Sequence, residues 1–374
     1  MLFLKRALND EKGAIMIMVA IAMVMIFGFA VLAIDMSMIQ LAKTQLQNAA
    51  DAGSLAGAMA LALSAGDEAT ATAEAKAEAI RVAGLNVAVQ DIQRPVVIDE
   101  GDVDVLYDSG KVTVNTHRTK ATGDPVTVYF LKVLDPLVEN KGEMTATASA
   151  RVMPISGTSC LRPFCPADRW FDADSNGAWN PANGDYYDPE ATGYVAPRDI
   201  GAEVILSRRN PNQDFGMFNY YTVDFPPKNT GNPISGADVV REWIIGCRDP
   251  SITVSIGDQL QIEPGGMTGP VTQGLNDLIG QDPGAYWDAD TKTVKNSAYA
   301  VSPRIIKAAA FDPRVGREDC GPGRQCVTVI KLLAVFIEGH VSDNITGRFM
   351  KLVTEGEPCP GCPEGFLTTV RLVE

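Results

Sequence analysis

The sequence predicts an α+β protein: an N-terminal transmembrane helix continuing into an Ala-rich helical hairpin, a small α+β domain, then a β-rich, disulfide-containing C-terminal domain. Three observations predict it. Residues 13–34 hold no charged side chain. Alanine and other strong helix formers dominate residues 36–83, after which the apolar period shifts from that of a helix to two. All seven cysteines lie at or beyond Cys160, far from the apolar run. The expected divisions are 1–12, a cytoplasmic segment; 13–34, the transmembrane helix; 35–84, an Ala-rich stalk and hairpin; 85–153, the small α+β domain; and 154–374, the β-rich extracytoplasmic domain.

As a helix, the uncharged run would be roughly 33 Å long, against a bilayer hydrocarbon core of roughly 30 Å. An export signal has a shorter apolar region of about 7–15 residues, although Val31 and Ala33 have the small size that a signal peptidase accepts. A core helix of a soluble domain is seldom apolar all round for this length. Lys5, Arg6 and Lys12 precede the run, whereas its far side opens with Asp35 and reaches its first base at Lys43. That asymmetry keeps the N-terminus cytoplasmic and puts everything after Asp35 outside.

The helix is expected to continue without a break, because residues 36–63 are nearly all good helix formers. Ala49, Gly53 and Gly57 recur every fourth residue, with Ala42, Ala49 and Ala56 seven apart, so one face lets another helix approach closely. The partner is either the same chain or another subunit. Ser64-Ala65-Gly66 interrupts, and Asp67 is placed to cap a second helix in which Arg81 suits the C-terminal dipole and Gly84 a left-handed terminus.

In "DVDVLYDSGKVTVNT" the alternation puts Val103 and Val105, then Val112 and Val114, on one side of a hairpin turning at Asp108-Ser109-Gly110. "VYFLKVL" (128–134) predicts a short helix, and "MTATASARVM" a strand with Met144, Ala146, Ala148, Ala150 and Val152 on one face, the sheet being covered by the Ala-rich helices. Proline and glycine punctuate 154–158, which predicts a linker. Beyond it, "EVILS", "FNYYTVDF", "SITVSIGDQLQI", "CVTVIKLLAVFIEG", "RFMKLV" and "FLTTVRLV" predict strands, and "GADVVREWIIG" and "GPVTQGLNDLIG" predict helices, the second capped by Thr268 and ended by Gly280.

A formal net charge of −14 excludes nucleic-acid binding and attachment to anionic lipid by charge alone. The cysteines fit an oxidising compartment, with Cys160 and Cys165, Cys320 and Cys326, and Cys359 and Cys362 as close pairs and Cys247 left over as the expected free thiol. "CPGC" as a redox motif lacks a βαβ context, and His117 and His340 are too few to complete a zinc site with it.

"DADSNGAWNPANGDYYD" has the opening of a calcium loop: Asp172, Asp174, Asn176, Gly177 for the sharp turn, the Ala178 carbonyl, then Asn180. Where a standard loop closes it has Asn183, and the closing carboxylate is Asp185, two residues late, with Asp188 beyond. The alternative is a surface loop whose side chains cap their own backbone. A bound Ca2+ would pin the loop; no other cofactor is expected. "WDADT", with Asp288 and Asp290, predicts a turn, and His117 and His340 lie in strand-like segments without a serine or cysteine elbow.

"KGAIMIMVAIAMVMIFGFAVLAIDMSMIQLAKTQLQNAADAGSLAGAMAL" (12–61) resembles the N-terminal module of TadG-like proteins of Flp-type (tight adherence) pilus assembly. The signature is a Gly-Ala start, an apolar span ending near an aspartate, and a Leu-Gln-Asn-Ala-Ala-Asp segment running into small residues. A weaker similarity covers 268–313. Flp-type pilins carry a glutamate five residues after the processed glycine; from Gly13 that place is Met18, which argues against processing there and against a role as major pilin. "DMSMI" only imitates the Asp-x-Ser-x-Ser metal site of some relatives, since Ile39 replaces the second serine, and Asp35 and Ser37 are expected to form an interfacial helix turn.

The resemblance implies a non-enzymatic envelope protein in the bacterial inner membrane, single-pass, its main domains periplasmic or extracellular. It would act by helix packing and by ectodomain contacts with pilus-assembly or pilin subunits, cell wall or surface ligands. A calcium-stabilised adhesive or ligand-binding ectodomain without a pilus role is the alternative, and an envelope hydrolase the third.

Overall fold

The computed structural model describes residues 11–86, 95–121, 126–127, 141–209 and 214–373. The architecture is α+β, and the chain divides into two compact units. The first comprises Met1–Leu61, Glu68–Arg151 and Leu372–Glu374; the second comprises Ala62–Asp67 and Val152–Arg371. The expected helix at 128–134 lies outside the described residues.

In the first unit, α1 (Glu11–Leu63) is one unbroken helix of 53 residues, about 80 Å long at 1.5 Å per residue. Its two halves have different surroundings. Nearly all of 15–34 is exposed, large apolar side chains included, whereas from Asp35 onward a stripe through Ala42, Leu46, Ala49, Ala50, Ser54, Ala58 and Leu61 is buried. Across it packs α2 (Glu68–Ala83), burying Ala71, Ala75, Ala79 and Ala83 at four-residue spacing. Small side chains on both helices let them meet closely: a Cβ on Gly53 would lie 2.8 Å from that of Ala83. Gly84 does not take the expected left-handed conformation. Instead the Asn86 side chain donates to the Val82 and Ala83 carbonyls, so a side-chain amide supplies the cap that glycine geometry would have supplied.

The hairpin of β1 (Val103–Leu106) and β2 (Lys111–Arg118) turns through Gly110 at φ 62°, and pairs Val103 with Val114 and Val105 with Val112. A short pair, β3 (Val126–Thr127) and β4 (Lys141–Gly142), follows. The next strand, β5 (Met144–Ser159), runs antiparallel to β2 from Lys111↔Arg151 to Arg118↔Met144. Val112 and Val114 are buried against α1, and the Thr116 hydroxyl donates to the Leu46 carbonyl at 3.0 Å.

The expected linker at 154–158 is strand: β5 passes through it into the second unit. The Pro154 carbonyl accepts the Cys359 N–H, so this proline fills a ladder position as acceptor only. Gly157 is flanked by Ser255 and Glu357 at a distance that leaves no room for a Cβ.

The second unit adds β6 (Phe164–Pro166), α3 (Ala196–Asp199), β7 (Glu203–Arg209), β8 (Asn219–Asp224), α4 (Ala237–Ile245), β9 (Thr253–Ser255), β10 (Gln259–Ile262) and α5 (Thr268–Gln281). Then come β11 (Tyr286–Asp288), β12 (Thr293–Lys295), β13 (Ile305–Phe311), β14 (Glu318–Gly321), β15 (Arg324–Val341), β16 (Asn344–Phe349), β17 (Leu352–Val353), β18 (Glu357–Pro358) and β19 (Leu367–Val373). The pairings β10-β15-β16-β7-β8 return to β10 and so close a ring. Ring closure removes exposed edges among these five strands. Phe164, Tyr220, Tyr221, Phe225, Phe311 and Phe349 fill the core, with edge-to-face contacts such as Phe164–Tyr220. β13 escapes sequence reasoning because three consecutive alanines have little strand preference; seven residue pairs with β15 hold it extended. On α5, Thr268 is the first helical residue rather than the cap, and its hydroxyl donates to Asp343. Gly280 lies within the helix, which ends at Gln281 with Asp282 as its C-cap.

Candidate functional site

Three features of the sequence point to function: the apolar half of α1, the small-residue face beyond it, and the acidic loop. The first is the one helix among the described residues that is long and apolar enough to cross a membrane, and its most apolar window has no buried residue. Where it ends, Ser37 donates to the Ala33 carbonyl and Asp35 is buried within a regular helix.

The face of Ala49, Gly53 and Gly57 is turned to this chain's own elements. A Cβ on Gly57 would meet Val112 Cγ1 at 2.9 Å and the Ala75 oxygen and Ala79 Cβ at 3.0 Å, and Ala49 is fully buried. Of the two partners left open by the spacing, the same chain is the one that fills it.

The acidic loop follows Phe171, which bridges Tyr186 across its base. One carboxylate oxygen from each of Asp172, Asp174 and Asp185 lies within 4.8 Å of the others. Asp185 is buried and ties the loop's two arms together, accepting from the Ala173 N–H at 3.0 Å and the Asn180 N–H at 2.7 Å. Asp172 Oδ2 accepts the Gly177 N–H at 2.6 Å, with Gly177 at φ 73°, while its Oδ1 is buried without a hydrogen-bond partner. Carboxylate oxygens are the hard donors that a calcium ion takes, and Asp172 Oδ1 has no other partner to satisfy it. The amide side chains serve the turns: Asn176 and Asn180 accept from Ala178 and Ala182, and Asn183, where a standard loop has its closing glutamate, donates to Asp174. Asp188 stands apart from the cluster; the Ala191 and Glu190 N–H groups bind its carboxylate and hold it below the usual range. Asp288 likewise accepts from Thr291 and Asp290 in the β11–β12 turn, the backbone bond from Thr291 being the main cause of its lowered pKa.

The cysteine pairing corrects one expectation. Cys160 joins Cys247, and Cys165, not Cys247, is the free thiol. Cys165 sits in β6 opposite Tyr221, wholly inside the core, where burial pushes its thiol pKa up. Cys160 directly follows β5, in the left-handed region at φ 61°. Cys320 joins Cys326 across the β14–β15 hairpin, and Cys359 joins Cys362 in a tight turn.

One cluster has no sequence signal. Asp224 and Glu263, at the end of β8 and just beyond β10, are both buried, and burial with the neighbouring Glu263 carboxyl pushes Asp224 up to about 8. Ser235 and Gln261 donate to Asp224, and Glu263 accepts the Gly236 N–H at the start of α4.

No curated protein and no solved structure matches the chain. Residues 13–60 match the Tad family model, described as "Putative Flp pilus-assembly TadE/G-like", so this N-terminal module is of the type that the sequence resembles.

Proposed function

We propose that the chain is a single-pass, non-catalytic component of Flp/Tad pilus assembly, held in the bacterial inner membrane by residues 13–34, with its N-terminus cytoplasmic and both folded units outside. The observation that supports this best is a coincidence: the family match at 13–60 spans the apolar half of α1 and the buried stripe that follows. The small-residue face is already covered by α2 and β2, so contacts with other pilus-assembly or pilin subunits fall to the apolar half of α1 and the outer surfaces of the folded units. A structural role is supported by the histidines, since His340 bonds Ser342 and Asn276 and His117 contacts Asp102. The Asp224–Glu263 carboxyl pair is too deeply buried to meet a substrate.

Val24→Arg tests it. An arginine at the centre of the span costs roughly 2.5–3.5 kcal/mol on insertion scales. The expected outcome is loss of the chain from the membrane fraction and loss of surface pili, with exposed Leu41→Arg, beyond the span, preserving both. Normal piliation with Val24→Arg recovered in the soluble fraction would refute the proposal.

The orphaned Asp172 oxygen favours a second element, a calcium ion pinning the acidic loop through Asp172, Asp174 and Asp185. Affinity is expected in the extracellular range, about 10⁻⁴–10⁻³ M. Millimolar calcium should raise the Tm of the detergent-solubilised chain. Asp172→Asn should abolish the rise and Asp188→Asn should leave it intact; no rise in the wild-type chain would refute the site.

A further inference from the structure

Arg162 and Lys307 are neighbours within the second unit. Arg162 lies in the bend between β5 and β6, and its N–H donates to the carbonyl of Lys307 on β13 at 2.8 Å. Among the described residues, neither side chain has a carboxylate in hydrogen-bonding contact. Lys307 Nζ donates to the Thr158 and Thr354 hydroxyls at 3.0 and 3.4 Å; Thr158 in turn donates to the Glu355 carbonyl, whereas the Thr354 hydroxyl accepts from the lysine and so keeps its own proton for a further acceptor. Arg162 Nε and Nη1 are buried without any hydrogen-bond partner.

An arginine cannot shed its proton to escape such a site, and unpaired donors on a buried cation are costly. Two other cations of the second unit, Arg304 and Lys331, are treated differently. Arg304 places its guanidinium on the carbonyls of Ile337, Glu338, Asp282 and Ala285, and Lys331 reaches Asp168 at 2.6 Å. At Arg162 and Lys307 two neighbouring half-buried cations lack such partners: the lysine meets the Thr158 and Thr354 hydroxyls, and two nitrogens of the guanidinium meet no acceptor. Burial, with Arg162 adding to it and the Glu355 charge opposing it, pushes Lys307 down to about 8.

We propose that Arg162 and Lys307, with the Thr354 hydroxyl as a further donor, bind a small oxyanion, either a phosphate or a carboxylate group. Arg162 supplies permanent charge and two free donors, while Thr158 holds the Lys307 ammonium in place. The charged groups facing Lys307 are Arg162 and Glu355, so the lysine is the group whose proton is lost near pH 8, and binding weakens as pH rises through that value.

The test titrates the full-length chain in nonionic micelles with inorganic phosphate and, separately, acetate, at constant ionic strength set with chloride. Binding is read by calorimetry and by Tm. Saturable binding of phosphate identifies a phosphate group as ligand, and saturable binding of acetate alone a carboxylate. In either case Arg162→Met should weaken binding about tenfold or more, as should Lys307→Met, consistent with loss of one charge-assisted partner. Acetate, whose own charge is constant there, should bind several-fold more weakly at pH 9.5 than at pH 7 if it is the ligand. Should Arg162→Met fail to fold, Lys307→Met and the pH series carry the comparison. No saturable binding of either anion, or equal affinity in the wild-type and Lys307→Met chains, overturns the proposal.

Discussion

Gly57→Ala isolates the packing of α1 against α2 and β2. In an exposed helix the change would stabilise by about 1 kcal/mol, because alanine is the better helix former. Here the new methyl would stand 2.9 Å from Val112 Cγ1 and 3.0 Å from both the Ala75 oxygen and Ala79 Cβ, against a comfortable separation of about 3.5–4.0 Å. Two of these atoms are backbone or Cβ and have no rotamer by which to move. α2 must therefore retreat by several tenths of an ångström, which puts the overpacking cost in the upper part of its range, about 2–3 kcal/mol. Subtracting the helix gain leaves a net destabilisation of about 1–2 kcal/mol. Because two units make global unfolding a poor measure, the assay is hydrogen exchange of the α2 amides in the micelle-bound full chain, with acceleration of about five- to thirtyfold expected. Gly28→Ala, with nothing within 4 Å of its new methyl, should leave α2 unchanged. Unaltered α2 exchange in Gly57→Ala, together with lost piliation, would refute the reasoning and return the face to a partner subunit.

Non-reducing peptide mapping should recover a peptide linked through Cys160 and Cys247, with Cys165 the only thiol alkylated after unfolding; a linked Cys160–Cys165 peptide would contradict the pairing. The bond spans 87 residues, so Cys247→Ala should cost up to about 4–5 kcal/mol on the loop-entropy model, measured by the Tm of the second unit's transition. Asp224 gives a pH prediction. Its folded pKa, about 8, exceeds the unfolded value of about 3.9, so the native state holds a proton that the unfolded chain has released. The sign follows: stability from this group is full below about pH 4 and falls, at up to about 1.4 kcal/mol per unit, until about pH 8. Asp224→Asn should flatten that part of the stability–pH curve measured by urea unfolding; an unchanged slope would rule out Asp224 as its source.

How much of this was legible in the sequence follows from the range over which each determinant acts. The helical period of α1 and α2, the alternation of β1 and β2, and the Gly110 turn are local, and each appears where expected. Residues 154–158 were misleading because Pro154 and Gly157 are breakers in isolation, whereas β18 and β9 supply partners from far along the chain. The triple alanine of β13 has no local strand preference, and only β15 extends it. Cys160 is nearer in sequence to Cys165 than to Cys247, but β6 carries Cys165 into the core. The acidic loop was readable because Asp172, Asp174 and Asp185 lie close together in the sequence. Arg162, Lys307 and Thr354 come from three distant segments, so nothing short of the fold brings them together.

The most direct measurement combines alkaline carbonate extraction with protease digestion of intact spheroplasts. The expected result is a full-length chain that stays in the carbonate-washed pellet, and whose residues beyond Asp35 are digested by protease added from outside while the outer disulfides resist alkylation before reduction. Release of the intact chain into the carbonate supernatant, or complete protection of the folded units inside unbroken spheroplasts, would contradict it.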